Sequence, residues 1–161
     1  MNHKELKAKI KEWIGEADFD ILQEVKSEKT HFILTVKSKE KSVLNFPINV
    51  ALSKEPKGLI LGFTGEIKGE DNKSYRGTDK KYREKMVEEL ATRADLAYLQ
   101  LSYSSNSEKT KFRGMKVILP KEITKKTFCT AITDLTEYRK YLDQIRKKYK
   151  FARPNVDNYS I

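Results

Sequence analysis

The stretch from Lys80 to Ala94 constrains the fold more than any other part of the chain. Its apolar residues recur three and four positions apart, as they do on one face of a helix: they are Tyr82, Met86, Val87, Leu90, Ala91 and Ala94. Thr78 or Asp79 can cap the start of this helix. Because the helix must bury its apolar stripe against other elements, we expect a sheet to close around it.

Four strand-like runs precede this helix and alternate apolar with polar residues. They span residues 19–25, 31–37, 43–52 and 59–67, and short polar segments between them predict two antiparallel hairpins. One face of the first strand should carry Phe19, Ile21, Gln23 and Val25. Since Pro47 cannot donate to a sheet, the third strand is expected to lie at an edge, to be bulged or to start there.

The segment from Lys68 to Gly77 is polar throughout and predicts a solvated loop. It is also the one place where several carboxylates could meet: Glu66, Glu70, Asp71 and Asp79. Lysines and an arginine lie among them, so a neutralised surface is the ordinary interpretation. A cavity lined by these carboxylates is the least that an enzyme would need here.

Two strands and a long helix are expected after the central helix. Residues 96–103 fit both a helix and a strand, and we favour a strand from about Ala97, paired with a run over residues 112–119. A helix then runs from Thr124 or Thr127 to about Tyr149. We predict one α+β domain over residues 1–152 and a C-terminal tail over residues 153–161.

Residues suited to catalysis or metal binding are few. The chain has two histidines, His3 and His31, and one cysteine, Cys129. No HExxH, CxxC, Walker or GxSxG spacing is present, and Cys129 lies on or beside the apolar stripe of the last helix. We therefore predict no catalytic residue, no metal and no cofactor, and a protein that is not an enzyme.

The net charge of +10 leaves two interpretations open. Basic surfaces attract polyanions such as nucleic acid, but the basic residues are mostly lysines interspersed with 23 acids, as on an ordinary solvated surface. The candidates for polyanion binding lie late in the last helix and beyond it: Arg139, Lys140, Arg146, Lys147, Lys148, Lys150 and Arg153.

The chain shows no sign of membrane insertion or secretion. No apolar run reaches the ~20 residues of a spanning helix, and the charged N-terminal segment lacks the apolar core of a secretory signal. We predict a cytoplasmic location with no membrane partner.

The predicted element order, together with the phrases INVALSKEPKGLILGFTGEI and LPKEITKKTFCTAITDL, resembles an uncharacterised prokaryotic family with a type III secretion chaperone-like fold. The resemblance implies an α+β fold, an antiparallel sheet flanked by helices in the order α-β-β-β-β-α-β-β-α. In those chaperones the fold acts as a dimer that binds extended client segments. We expect a non-enzymatic binding or assembly module that recognises a protein partner or a second copy as a homodimer. The alternative is a nucleic-acid-binding protein that uses the basic C-terminal helix.

Overall fold

Six strands form an antiparallel sheet in the order β1-β2-β3-β4-β6-β5, which confirms the α+β class. The computed structural model describes residues 2–40 and 47–149, without the side chain of Arg146. The elements in chain order are α1 (His3–Glu16), β1 (Phe19–Ser27), β2 (Thr30–Ser38), β3 (Ile48–Ser53), β4 (Gly58–Lys68), α2 (Gly69–Arg76), α3 (Lys80–Leu96), β5 (Gln100–Ser105), β6 (Lys109–Ile118), a short 3₁₀ helix (Pro120–Glu122) and α4 (Lys125–Tyr149).

Helix α2 occupies the segment that the sequence predicts to be a solvated loop, and that prediction is wrong. Gly69, with a φ of 59°, lies at the turn from β4 into the helix. The helix then buries Asp71, Asn72 and Tyr75 on one side. Because two of these three residues are polar, a hydropathy pattern does not reveal that the segment has a buried face.

Of the three alternatives that Pro47 left open, an edge, a bulge or a strand start, strand β3 confirms the strand start and contradicts the edge. The strand begins at Ile48, directly after the proline, and pairs with β2 on one side and β4 on the other. Pro47 therefore lies just before the first strand residue, where its missing N–H costs no sheet hydrogen bond. Residues 43–46, which the sequence assigns to the same strand, lie outside the described residues.

The junction between α3 and β5 confirms that a strand follows the helix, but the strand begins at Gln100, three residues later than the expected start at Ala97. The helix is capped at its start by Asp79, whose carboxylate accepts the Lys81 N–H at 2.8 Å. At its end, Leu99 N–H donates to the Ala94 carbonyl at 2.8 Å and Tyr98 N–H donates to the Asp95 carbonyl at 3.1 Å. This pair of bonds is the Schellman motif, which requires a left-handed residue after the cap.

The protein divides into two compact units. The first unit comprises Met1–Phe63 and Met115–Thr136, and the second unit comprises Thr64–Gly114 and Glu137–Ile161. Strands β4 and β6 and helix α4 contribute residues to both units, so the single-domain assignment stays a prediction.

In the first unit, α1 and the start of α4 lie on the same face of the sheet. Lys7 and Lys11 of α1 reach Glu24, which pairs in register with the buried Leu34. Lys116 of β6 points to the face opposite its exposed neighbour Val117, and it contacts Asp134 of α4. On this covered face, the buried apolar residues of β2, β3 and β4 are Phe32, Leu34, Val36, Ile48, Val50, Leu52, Leu59, Leu61 and Phe63.

In the second unit, α3 packs against the C-terminal half of α4. The Tyr138 hydroxyl donates to the Leu90 carbonyl at 2.9 Å, and both residues are buried. Burial also raises the pKa of Tyr138, so that its hydroxyl remains a donor. The ring of Tyr82 meets the ring of Tyr149 edge-on at a centroid distance of 5.0 Å. The apolar stripe that the sequence identifies in α3 therefore has a helical partner.

We expect Tyr98→Gly to stabilise the protein. Tyr98 has a φ of 54°, in the left-handed region, and its side chain is 88% exposed. Left-handed geometry destabilises a non-glycine residue by roughly 1–2 kcal/mol. Glycine removes this cost, but it loses more backbone entropy on folding, which offsets part of the gain. The free energy of unfolding should therefore rise by about 1 kcal/mol. The urea midpoint at an unchanged m-value measures it. Tyr98→Ala removes the ring but keeps the backbone cost, and should change the midpoint little. A lower midpoint for Tyr98→Gly than for Tyr98→Ala would contradict the assignment.

Candidate functional site

Arg139 must be removed from the predicted polyanion-binding set. Its side chain is 0% exposed, and this burial lowers the pKa of the guanidinium to about 10. The residue lies four positions after Leu135 and three before Leu142, which are also buried. Its position on the apolar stripe of α4 therefore determines its surroundings, and it cannot contact a polyanion on the surface.

Three lysines of the predicted set reach the surface, Lys147 and Lys148 exposed and Lys140 half-buried, but each has an ion-pair partner. Lys148 donates to Glu89 at 2.9 Å, which holds the pKa of that carboxyl below its usual range. The other pairs are Lys140 with Glu137 at 3.7 Å and Lys147 with Asp143 at 3.1 Å. The side chain of Arg146 is not described, and Lys150 and Arg153 lie outside the described residues. Polyanion binding by this helix stays a prediction.

The four carboxylates around α2 have separate surroundings. Glu66 has Lys68, Lys109 and Lys111 within 3.9 Å, and the Lys68 hydrogen bond contributes most to lowering its pKa. Glu70 pairs with Lys73, Asp79 caps α3, and Asp71 is buried. Across residues 2–40 and 47–149, no group of three or more His, Cys, Asp or Glu side chains could hold a metal ion.

The fold brings the two histidines together, which the sequence gives no means of predicting. The rings of His3 in α1 and His31 in β2 stack at a centroid distance of 4.5 Å with an angle of 14° between their planes. They line a cavity of about 270 Å³. Burial, and then the nearby His3 and Lys54, lower the pKa of His31.

A buried polar network in the second unit joins α2 to the β5–β6 hairpin. The Thr110 hydroxyl donates to Asn72 Oδ1 at 2.6 Å and lies 2.8 Å from the Ser105 hydroxyl. Asn72 Nδ2 donates to the Asn106 carbonyl at 3.0 Å. Asn72 and Thr110 are both fully buried. Each group is thus satisfied within the fold, which fixes the position of α2 against the hairpin.

Next to this network lies a cavity of about 440 Å³ between α3 and β5. One wall holds Tyr103, whose hydroxyl is hydrogen-bonded to the hydroxyl of the buried Tyr75. Burial raises the pKa of Tyr75, and the bond to Tyr103 raises it further. The opposite wall holds Arg83, whose Cζ lies 5.9 Å from the centroid of the Tyr75 ring.

A second candidate surface is the face of the first unit's sheet opposite α1 and α4. Two neighbouring rows of in-register residues cross β1 to β4 on this side. An apolar row comprises Val25, Ile33, Ala51 and Ile60, and a polar row comprises Gln23, Thr35, Asn49 and Gly62. We call these eight residues the open face. None of them carries a formal charge.

Exposure of the open face distinguishes it from the covered face. Val25 is 41% exposed, and Ile33, Ala51 and Ile60 are half-buried. Val117 of β6 is 43% exposed and lies near the apolar row. Gly58 precedes Ile60 by two residues in β4, and a Cβ placed on Gly58 would be 3.6 Å from Val117 Cγ1. An irregularity between Ile21 and Gln23 changes the alternation of β1. Phe19 and Ile21 pair with Ser38 and the buried Val36, whereas Gln23 and Val25 pair with Thr35 and Ile33 of the open face, so the prediction that all four share one face is wrong.

No helix among the described residues has the length and apolar character to cross a membrane.

Comparison with known proteins identifies a family and a fold. Residues 6–145 match the family model of an uncharacterized conserved protein (DUF2299). The structure is similar to the crystal structure of an uncharacterized protein from Methanothermobacter thermautotrophicus, with a TM-score of 0.72 and 13% sequence identity, over 89% of this chain and 98% of that chain. At this identity the likeness shows the fold alone. No curated protein matches the chain.

Thr110→Val tests whether the buried polar network stabilises the second unit. The substitution keeps the shape of the side chain but leaves Asn72 Oδ1 without its 2.6 Å donor. A buried acceptor that loses its partner costs about 1–3 kcal/mol, which chemical denaturation measures. Thr64→Val, at an exposed position of β4, is the matched control and should change stability little. Equal effects of the two substitutions would show that the network contributes nothing specific.

Proposed function

Because the chain belongs to the DUF2299 family of uncharacterized conserved proteins, whose description specifies no activity, we propose a function from the geometry: a non-enzymatic assembly module in which the open face binds the open face of a second copy. The observation that carries the proposal is the apolar row of Val25, Ile33, Ala51 and Ile60 on the side of the sheet opposite α1 and α4. Burying apolar surface of this kind contributes about 25 cal/mol per Å², which favours association.

Charge supports a second copy as the partner. Two chains of net charge +10 repel each other, so they can associate closely only where the contacting surface carries little charge. The eight residues of the open face carry none, and beside them Lys37 of β2 lies opposite Asp20 of β1 in register. Sheets also pack well face to face, about 10 Å apart, when apolar residues of the two inner faces interdigitate.

The size of this surface sets the expected affinity. The four strands that carry the open face span about 19 Å at ~4.8 Å per strand, and six residues extend about 20 Å along each strand. This side of the sheet therefore measures on the order of 400 Å² per partner, which is small for a specific interface. We expect a reversible dimer with a micromolar dissociation constant.

The resemblance to type III secretion chaperones supports the same proposal at a finer level. In those proteins the fold acts as a dimer, and we propose a chaperone-like arrangement for this chain as well. The chaperones are typically acidic, however, whereas this chain is strongly basic. A second copy is therefore a better-supported partner than an extended client segment of the kind that those chaperones bind.

Substitution of Val25→Lys together with Ile60→Lys should abolish the dimer. Two lysines at the ends of the apolar row would meet two more from the partner copy in a desolvated interface, where unpaired charges are strongly unfavourable. Sedimentation velocity across a concentration series measures the monomer–dimer equilibrium, and circular dichroism verifies that the variant is folded. The wild-type sedimentation coefficient should rise with concentration, and that of the double variant should stay at the monomer value.

Leu96→Lys is the control, because Leu96 is 71% exposed and belongs to the second unit. Leu96→Lys is combined with a second surface substitution, Thr92→Lys, so that the control variant also gains two positive charges, but outside the open face. This variant should dimerise nearly as the wild type does, at matched ionic strength. A wild-type protein that stays monomeric at all concentrations, or equal losses in the two variants, would show that the open face is not a dimer interface. Association only after addition of nucleic acid would favour the basic-helix alternative instead.

A further inference from the structure

The second unit contains a half-buried arginine that lacks an anionic partner among the described residues. Arg83 Nε is buried, and no described atom accepts a hydrogen bond from it. The contact of the side chain with the Tyr75 ring, at 5.9 Å, is a cation–π interaction, which compensates only part of the desolvation of a guanidinium. Arginines in this situation are well suited to bind an anion that comes from outside the fold.

The cavity beside Arg83 has the dimensions of a small-molecule site. Its volume of about 440 Å³ falls within the roughly 300–1,000 Å³ that is usual for ligand pockets. Val87 and the ring of Tyr103 supply apolar surface, and Ser104 and Ser105 supply hydroxyl groups. Such a volume accommodates more than a bare inorganic ion.

We propose that this cavity binds a small molecule that carries an oxyanion, either a carboxylate or a phosphate monoester, on an apolar or aromatic body. The planar fork of Arg83 suits the paired oxygens of such a group. Val87 and Tyr103 contact the body of the ligand. Glu84, the one carboxylate among the described residues that line the cavity, has an ion-pair partner in Lys80 at 3.8 Å.

The walls of the cavity are held in place before a ligand binds. Ser105 belongs to the buried network through Thr110, and Tyr103 is fixed by its bond to Tyr75 and by its ring contact with Phe112 at 5.1 Å. Arg83 lies on α3, whose N-terminus is capped by Asp79 one turn earlier. A site built on such elements loses little conformational entropy when it binds a ligand.

The test uses phenyl phosphate and benzoate as probes, with inorganic phosphate and benzyl alcohol to separate the charged part from the apolar part. Backbone amide resonances of Ser104 and Ser105 report binding in ¹H–¹⁵N NMR titrations. At least one aromatic oxyanion should bind more tightly than inorganic phosphate, and benzyl alcohol should not bind at millimolar concentrations. The tighter aromatic probe identifies which oxyanion the site prefers.

Arg83→Gln should weaken the binding of that probe by about tenfold, as expected for loss of a hydrogen bond to a charged group. Arg83→Lys keeps the charge without the fork and should weaken binding less. Arg76→Gln removes an exposed arginine outside the cavity lining and should have no effect. The proposal is overturned if neither aromatic oxyanion shifts the two serine amides, or if the three variants bind equally. The dimerisation test concerns the open face of the first unit, whereas this test concerns a cavity of the second unit. A negative result in one test therefore does not contradict the other proposal.

Discussion

Burial of alternate residues in β2, β3 and β4 beneath α1 and α4 is the interaction on which the first unit depends. Nine strand side chains are buried there, and at about 1.5–3 kcal/mol each their burial contributes on the order of 20 kcal/mol. Exposed ion pairs such as Lys39 with Asp20 contribute about 0–1 kcal/mol each. The covered face therefore determines the register of the strands. Once that register is set, the open face follows, because every second residue must point to the other side.

The parts of the fold that sequence patterns predict are those in which hydropathy and burial agree. Strands β2, β3 and β4, the stripe of α3 and the long helix α4 all bury apolar residues at the expected spacing. Helix α2 does not, because Asp71 and Asn72 are buried polar residues that depend on partners brought in by the fold. Arg139 shows the opposite failure: its residue type predicts a surface position, whereas its spacing from Leu135 and Leu142 places it in the interior.

The candidate sites were less accessible to prediction than the fold. The apolar row of the open face joins residues from four strands, and it emerges only when the register pairs Val25 with Ile33, Ile33 with Ala51 and Ala51 with Ile60. Individually, each residue belongs to an ordinary alternating strand. The cavity beside Arg83 likewise needs the packing of α3 against β5, two elements whose sequences contain no ligand-binding motif. Local sequence patterns carry information about periodicity, and both sites depend on contacts between segments distant in the chain.

Three features of the structure cost stability without an evident return inside the described fold. Tyr98 adopts a left-handed conformation while its ring is 88% exposed, so packing does not offset the backbone cost. Arg83 is partly desolvated without an anion, and the open face leaves apolar side chains in contact with water. Backbone strain and unpaired buried groups concentrate at functional positions, because a ligand or partner can recover the cost. In contrast, the Asn72–Thr110 network and the Tyr138–Leu90 contact are fully satisfied. Arg83 and the open face are the positions that we propose for binding, and the satisfied Asn72–Thr110 network holds Ser105 of the Arg83 cavity in place.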